Sequence, residues 1–162
     1  MNKQITEFFS KNSEFKEIKY TSKNPDETID FADDFASHLN TGNIVVLSGE
    51  LGAGKTVFMY GIAKYFNIQK QVSSPTFTIV NEYKAKKNSK DLNIYHFDVY
   101  RLKDEDDFLD SIGTDYFSNG ICIIEWGKNI QAILPKDTIY VDISKDIVDT
   151  DTRYFVITRG IK

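Results

Sequence analysis

Residues 44–56, with the sequence IVVLSGELGAGKT, constrain the fold of this 162-residue chain more than any other stretch. Residues 49–56 match the pattern GxxxxGK[S/T], and a run of apolar, mostly β-branched residues directly precedes them. Apolar side chains then recur between Val57 and Phe66 at the spacing of one buried helix face. A strand, a glycine-rich loop and a helix in this order predict a phosphate-binding P-loop within an α/β fold.

Each residue type in this loop has a chemical reason. Glycines let the backbone turn several N–H groups towards phosphate oxygens. Lys55 is expected to contact the β and γ phosphates, and the Thr56 hydroxyl to serve Mg²⁺ at the positive end of the following helix. The predicted nucleotide-binding residues of the loop are Gly49, Glu50, Leu51, Gly52, Ala53, Gly54, Lys55, Thr56 and Val57.

Two carboxylates are candidates for the metal side of the same site. Glu125 directly follows the apolar residues 121–124, and Asp98 ends another strand-like run. We expect both to hold Mg²⁺ or its waters and to act in catalysis, because a carboxylate after a buried strand is costly without a partner. His96 lies on the same strand face as Asp98. A packed structural histidine is the more common outcome at such a position.

Residues 73–80, SSPTFTIV, follow the P-loop helix where nucleoside triphosphatases place a switch segment. Thr76, after the rigid Pro75, is therefore a candidate for contact with Mg²⁺ or the γ phosphate, and we include it with Lys55, Asp98 and Glu125 as catalytic. By itself the segment also fits a turn before a strand.

Length and composition predict one domain over residues 1–162, with residues 1–14 as an amino-terminal extension whose Phe8–Phe9 pair either docks or frays. The net charge of −4 argues against a basic surface for nucleic acid. No apolar run approaches the roughly 20 residues that cross a bilayer, and the start lacks the features of a signal peptide. The expected location is therefore the cytoplasm, and the single cysteine, Cys122, fits a reducing compartment without requiring one.

Hydrophobic patterns predict strands at 15–22, 43–48, 76–83, 91–100, 120–127, 138–144 and 153–159. Helices are predicted after an N-cap at Asn24, after the P-loop, and near residues 104–110. The basic residues 84–90, KAKKNSK, are expected to form the solvated tip of a hairpin. These elements predict an α/β, P-loop NTPase-like three-layer sandwich with a mixed, mainly parallel central sheet.

Four segments, GELGAGKT, SPTFTIVNEY, HFDVYRL and IIEWG, closely resemble in order and distance those of the TsaE (YjeE) family. The resemblance covers residues 21–143. It implies an ATP-binding protein and weak ATPase, stimulated by its partners TsaB and TsaD, in threonylcarbamoyladenosine modification of tRNA, with tRNA reached indirectly through the complex. By matching motif, it implies phosphate contact for Lys55, Mg²⁺ for Thr56 and Glu125, a switch-like segment for Thr76, the metal side for Asp98, and the nucleotide or a partner surface for Trp126.

Other functions share the P-loop. A small-molecule kinase usually needs several arginines to clamp an acceptor, whereas this chain has Arg101, Arg153 and Arg159, two of them in its last strand. A GTPase would need the guanine-reading NKxD pattern, which the sequence lacks. A non-catalytic nucleotide sensor would use the same residues as a slow ATPase. Our hypothesis for hydrolysis is in-line attack by a water near Glu125 and Asp98, with Lys55, Mg²⁺ and the loop amides stabilising charge.

Overall fold

A computed structural model describes residues 2–10, 16–75 and 78–160 of the chain. Five α-helices are present in these ranges: α1 (Lys3–Phe9), α2 (Pro25–Ser37), α3 (Lys55–Tyr65), α4 (Glu105–Ser111) and α5 (Tyr116–Asn119). A 3₁₀ helix covers Gly127–Ile133. Seven strands are present in the same ranges: β1 (Glu17–Ser22), β2 (Ile44–Ser48), β3 (Val80–Lys87), β4 (Lys90–Asp98), β5 (Ile121–Glu125), β6 (Ile139–Lys145) and β7 (Arg153–Arg159).

The strands form a single mixed sheet in the order β1-β7-β6-β2-β5-β4-β3. Its centre is parallel, with β2 paired to β5 and β6, and β5 paired to β4. The outer pairs β1–β7, β7–β6 and β4–β3 are antiparallel. The carboxyl ends of β2, β4 and β5 therefore lie side by side, which places the P-loop next to the two predicted carboxylates.

Helices cover both faces of the sheet and make three layers. On one face, Phe35 of α2 and Phe58 of α3 pack with Phe155 of β7 in a fully buried cluster. On the other face, Phe108 of α4 packs with Phe97 of β4, and Ile130 of the 3₁₀ helix joins the same cluster. Side chains alternate between the two clusters along β2 and β5, as a sheet buried on both sides requires. The predicted α/β sandwich is confirmed.

The start of α2 is fixed by reciprocal capping. The Asn24 side chain accepts a hydrogen bond from the Glu27 backbone N–H at 2.8 Å, and Glu27 accepts one from the Lys23 N–H at 2.7 Å. Pro25 occupies the first helical position, where its missing N–H costs nothing. The predicted N-cap at Asn24 is confirmed, and it holds the first turn of α2 against the site described below.

The amino-terminal segment docks onto the fold through α1. Asn2 caps the helix by accepting from the Gln4 N–H, and Ile5 and Phe8 are buried against α2 and the sheet. Phe9 packs on Phe35 and stacks on His38 at the carboxyl end of α2. Of the predicted extension 1–14, residues 1 and 11–14 lie outside the described residues. Phe15, the first residue of the first predicted strand, lies outside them too.

The predicted hairpin is present as β3 and β4, but its tip is shorter than expected. The strands continue through the basic segment, so that the expectation of a solvated loop over residues 84–90 was wrong. Only Asn88 and Ser89 form the tip, with φ of 50° and 64°, as in the two-residue turns that match the twist of paired strands. Lys87 is half-buried and donates to the carbonyls of Ser37 and Leu39 at the end of α2, and this burial lowers the pKa of its ammonium group.

Within the described residues, no helix combines the length and the apolar character that crossing a membrane would require.

Candidate functional site

A cavity of about 600 Å³ lies at the carboxyl ends of the central strands. The P-loop and the start of α3 form one wall, and the ends of β4 and β5 form another. The cavity is lined by Pro25, Thr28, Leu51, Gly52, Gly54, Lys55, Thr56, Val57, Ser74, Asp98, Tyr100, Glu125, Trp126 and Arg153. This is the edge of an open α/β sheet where ligands bind.

The backbone of the loop takes conformations that favour glycine. Gly49, Gly52 and Gly54 have φ of 149°, 74° and 114°. A Cβ at Gly49 would lie 2.5 Å from the Ile143 carbonyl oxygen and 2.9 Å from the Ala53 Cβ, so the loop folds tightly against the end of β6. Gly54 directly precedes α3, which begins at Lys55 without a side-chain cap. The first N–H groups of α3 therefore face the cavity as donors for an anion.

Lys55 is 7% exposed, and its side chain folds back onto the loop residues that precede it. Its Nζ donates to the carbonyl oxygens of Gly49 at 2.8 Å and Glu50 at 3.1 Å. The same Nζ lies 4.8 Å from the centre of the Trp126 ring. An ammonium group placed between backbone carbonyls and an aromatic face is well positioned to bind phosphate oxygens with a short movement of its side chain.

Asp98 and Glu125 face each other across neighbouring parallel strands. They are register partners of β4 and β5, and they are 6% and 3% exposed. The Ser74 hydroxyl donates to Asp98 Oδ2 at 2.9 Å, and the Tyr100 N–H donates to Asp98 Oδ1 at 3.1 Å. Two buried carboxylates side by side concentrate negative charge, which a bound cation would offset.

This donor set fits a cation that arrives with a nucleotide. Among the described residues no group of three or more His, Cys, Asp or Glu side chains could hold a metal ion alone. Mg²⁺ is usually bound by one or two carboxylates or hydroxyls together with phosphate oxygens and waters, so it does not need such a group. Asp98, Glu125 and the Thr56 hydroxyl line the same cavity as the P-loop and supply the chemistry that such an ion requires.

His96 contacts one of these carboxylates. Its Nε2 lies 2.9 Å from Glu125 Oε1, and the two side chains are 0% and 5% exposed. The sequence placed His96 beside Asp98 on one strand face, but the contact with Glu125 follows only once β4 and β5 are known to be neighbours. The expected packed histidine is therefore hydrogen-bonded to a candidate catalytic group.

The predicted residues divide into four sets. Those that line the cavity are Leu51, Gly52, Gly54, Lys55, Thr56, Val57, Asp98, Glu125 and Trp126. Gly49 and Glu50 line an adjoining cavity of about 410 Å³, which Trp126 also lines. Ala53 is fully buried within the loop. Thr76 lies outside the described residues.

Sequence reasoning missed several residues that the fold brings to the cavity. Arg153 of β7 donates from Nε to the Ala53 carbonyl at 2.8 Å and lies against Gly54. Tyr100 packs its ring 5.1 Å from that of Trp126, between the two cavities. Pro25 and Thr28 come from α2. None of these has a local motif, because each reaches the site through strand order or helix packing.

Trp126 adopts a left-handed backbone conformation with φ of 63°, which is uncommon for a residue with a side chain. It lies between β5 and the 3₁₀ helix and turns the chain sharply after Glu125. Its ring then lies next to the Lys55 ammonium group and also packs, partly buried, against the core cluster that contains Phe97 and Phe108.

A glycine-rich loop between β2 and α3, with a lysine and two strand-end carboxylates around one cavity, defines a nucleotide-binding protein with the P-loop NTPase-like fold. The chain belongs to the TsaE family: the profile of the family "Threonylcarbamoyl adenosine biosynthesis protein TsaE" matches residues 22–154.

Relatives and a solved structure agree with this membership. The chain is 39% identical over 130 residues to a protein of Bacillus subtilis, covering 80% of this chain and 79% of the relative. It is 41% identical over 107 residues to one of Treponema pallidum, covering 65% and 75%. Both relatives are named "tRNA threonylcarbamoyladenosine biosynthesis protein TsaE". The crystal structure of Bacillus subtilis YdiB superposes with a TM-score of 0.71 at 32% identity, covering 90% of this chain and 87% of YdiB.

Proposed function

We propose that this protein binds Mg·ATP in the P-loop cavity and hydrolyses it in support of threonylcarbamoyladenosine formation on tRNA. One observation carries the proposal: Lys55, Thr56, Asp98 and Glu125 converge on a single cavity from the P-loop and from two adjacent strand ends. The names of the relatives supply the pathway. We further propose that homologues of TsaB and TsaD are its protein partners and accelerate turnover.

Each residue has a task in this scheme. The loop amides and Lys55 bind and neutralise the phosphates, and they offset the charge that develops during transfer of the terminal phosphoryl group. Thr56, Asp98 and Glu125 would hold Mg²⁺, which supplies charge neutralisation of the phosphate oxygens when bound. Glu125 orients the attacking water, because its carboxylate lies at the end of a rigid central strand.

The arginines favour hydrolysis over phosphotransfer to a small acceptor. Arg153 lines the cavity, but its Nε and Nη1 already donate to backbone carbonyls of Ala53, Thr150 and Thr152. Arg159 instead lies over the rings of Phe8 and Phe9. The described side chains therefore offer no set of arginines around the cavity that could clamp the phosphate of an acceptor.

The test is phosphate release from Mg·ATP by the protein alone and then with TsaB and TsaD of the same organism. We expect slow release alone, a severalfold rise with partners, and loss of that activity in Lys55→Ala. Affinity for ADP should also fall roughly tenfold or more in this variant, since a hydrogen bond to a charged group contributes about 1.5–3 kcal/mol.

Lys86→Ala is the matched control, because Lys86 is an exposed lysine of the β3–β4 hairpin. It should leave phosphate release and ADP affinity unchanged. Equal release with and without the partners would contradict the proposed role and would indicate a stand-alone ATPase or a kinase, for which an acceptor would then be sought.

A further inference from the structure

The buried contact between His96 and Glu125 has a defined direction. A carboxylate in its ionised form only accepts hydrogen bonds, so for an ionised Glu125 the 2.9 Å contact with Oε1 requires the N–H of His96 Nε2 as the donor. The bond uses one of the two carboxylate oxygens and restricts rotation of the group. The second oxygen, Oε2, takes no part in this bond, and Glu125 is one of the residues that line the cavity.

His96 and Glu125 lie on neighbouring strands at the centre of the sheet. His96 is opposite Ile123 in the β4–β5 register, one residue pair before the Asp98–Glu125 pair, and all four residues lie in the parallel centre of the sheet. Alternation along a strand puts His96 and Asp98 on one face, the face that α2 and α3 cover. The imidazole therefore contacts Glu125 from the core side, and His96 is not itself one of the cavity-lining residues.

A side chain that served only to pack the core would not need a polar ring at this position. His96 is fully buried, and its second ring nitrogen, Nδ1, has no hydrogen-bond partner among the described residues. A buried polar atom without a partner destabilises the folded protein, and an apolar side chain at this position would avoid that cost. An apolar side chain, however, could not donate a hydrogen bond to Glu125.

We propose that His96 is a positioning residue that holds the Glu125 carboxylate in the orientation needed for turnover. The inference rests on the proposed ATPase function and extends it. His96 touches neither nucleotide nor water in this scheme. It acts through Glu125, in the way that outer residues orient the groups that contact a metal or substrate.

Two amide variants separate positioning from packing. In His96→Gln the amide nitrogen extends to about where Nε2 lies and can still donate to Glu125, whereas the shorter His96→Asn reaches only the place of Nδ1. We expect His96→Asn to lower kcat of the partner-stimulated ATPase roughly tenfold or more, with KM for ATP and ADP affinity changed less than about twofold. His96→Gln should restore most of kcat.

The chain offers a matched control in His38, its other histidine, which lies at the end of α2 beside Phe9. His38→Gln should leave both kcat and KM unchanged. In a Glu125→Gln background His96→Asn should cause little further loss, because both changes act on the same carboxylate. Thermal unfolding of each variant shows whether a fall in kcat accompanies loss of the fold.

Nitrogen NMR of the histidine rings reads the contact without turnover. We expect a proton on Nε2 of His96, and the signal of that nitrogen to move in Glu125→Gln. A proton on Nδ1 alone, or equal kcat losses in His96→Asn and His96→Gln, would overturn the inference. If the wild-type protein and its partners release no phosphate, the proposed function fails instead, and the tautomer alone decides whether His96 holds Glu125.

Discussion

At the scale of single residues, a ligand bound at the candidate site would replace contacts that its side chains already make. Lys55 donates to the Gly49 and Glu50 carbonyls and lies over Trp126. Phosphate oxygens would replace these contacts with stronger ones, because both donor and acceptor would be charged. Binding should therefore move the ammonium group relative to the indole ring.

The single tryptophan makes this exchange measurable. We expect the fluorescence of Trp126 to change saturably when Mg·ADP is added, because the cation over its ring moves and the cavity around it fills. The measurement is an equilibrium titration of tryptophan emission. In Lys55→Ala the starting emission should differ from that of the wild type, and a titration as large and as tight as in the wild type would contradict the assignment of Lys55 to the phosphates.

Residue chemistry also shows how far the sequence predicted the site. The loop residues 49–57 were predictable because their order along the chain is the motif itself. Glu125 and Asp98 were predictable because each ends an apolar run. Arg153, Tyr100 and His96 were not predictable as parts of the site, because their roles depend on which strands become neighbours, and no local pattern encodes that order.

At the scale of secondary structure, close contact between α2 and α3 sets the position of the P-loop helix. A Cβ at Gly61 of α3 would lie 2.4 Å from the Ile29 carbonyl oxygen and 2.5 Å from the Ala32 Cβ. Both contacts are with α2, whose first residues, Pro25 and Thr28, line the cavity. Gly61 therefore allows an approach of the two helices that any larger residue would prevent.

The sign of the stability change caused by Gly61→Ala tests whether the two helices are this close. In an exposed helix the change would stabilise by about 1 kcal/mol, because alanine has the higher helix propensity. Here we expect a net loss of about 1–3 kcal/mol, because the added methyl group overpacks the α2–α3 contact. Urea unfolding followed by circular dichroism measures the difference. Tyr60→Ala, at the neighbouring, 44% exposed position of α3, is the control and should cost much less.

The turn between β6 and β7 contains two carboxylates that accept hydrogen bonds, Asp146 and Asp149, and Asp146 has the larger pKa shift. Asp146 accepts from the Tyr154 hydroxyl and from the N–H groups of Val148 and Asp149. These bonds, with the one from Tyr154 first, lower the pKa of Asp146 from 3.8 to about 2. The folded state thus holds its proton less tightly than the unfolded chain, so the group stabilises the fold above pH 3.8, and this contribution is lost as the pH falls towards about 2.

We therefore expect Asp146→Asn to remove part of the acid sensitivity of the protein. The wild type should lose more stability than the variant between pH 4 and pH 2, the window set by the two pKa values. Unfolding by urea at a series of pH values measures this. Tyr154→Phe should reduce the wild-type loss in the same window, because it removes the hydrogen bond with the largest effect. Parallel pH profiles for all three proteins would contradict the assignment.

The helices and strands also show which features of the fold cannot be predicted from local sequence. The N-cap at Asn24 and the central strands were correct because capping and hydrophobic runs are local signals. The basic residues 84–87 were assigned to a loop on their charge, yet they continue β3 because β4 pairs with them. Lys87 then finds acceptors at the carboxyl end of α2, a partner distant in sequence. Charge alone could not reveal either the pairing or the acceptor.

At the scale of the whole molecule, the two ends of α2 belong to different regions: one lines the candidate nucleotide cavity, and the other packs against α1. Its amino end contributes Pro25 and Thr28 to the cavity. Its carboxyl end packs against α1, where Phe9 contacts Phe35 and His38. A helix of 13 residues is about 18–20 Å long, so the two regions lie well apart. The helix α1 also lies outside the matched family residues 22–154.

Phe8→Ala should therefore affect stability without affecting the site. Phe8 is 1% exposed in the core formed by α1, α2 and the sheet, and truncating a buried phenylalanine costs about 3–5 kcal/mol. We expect a lower urea midpoint and a lower melting temperature, with ADP affinity at 20 °C or below within about twofold of the wild type, because the contacts at the cavity are unchanged. Glu7→Ala, which removes a side chain that is 46% exposed on the same helix, should change neither property. Weakened ADP binding by folded Phe8→Ala protein would instead show that α1 and the nucleotide cavity are coupled through α2.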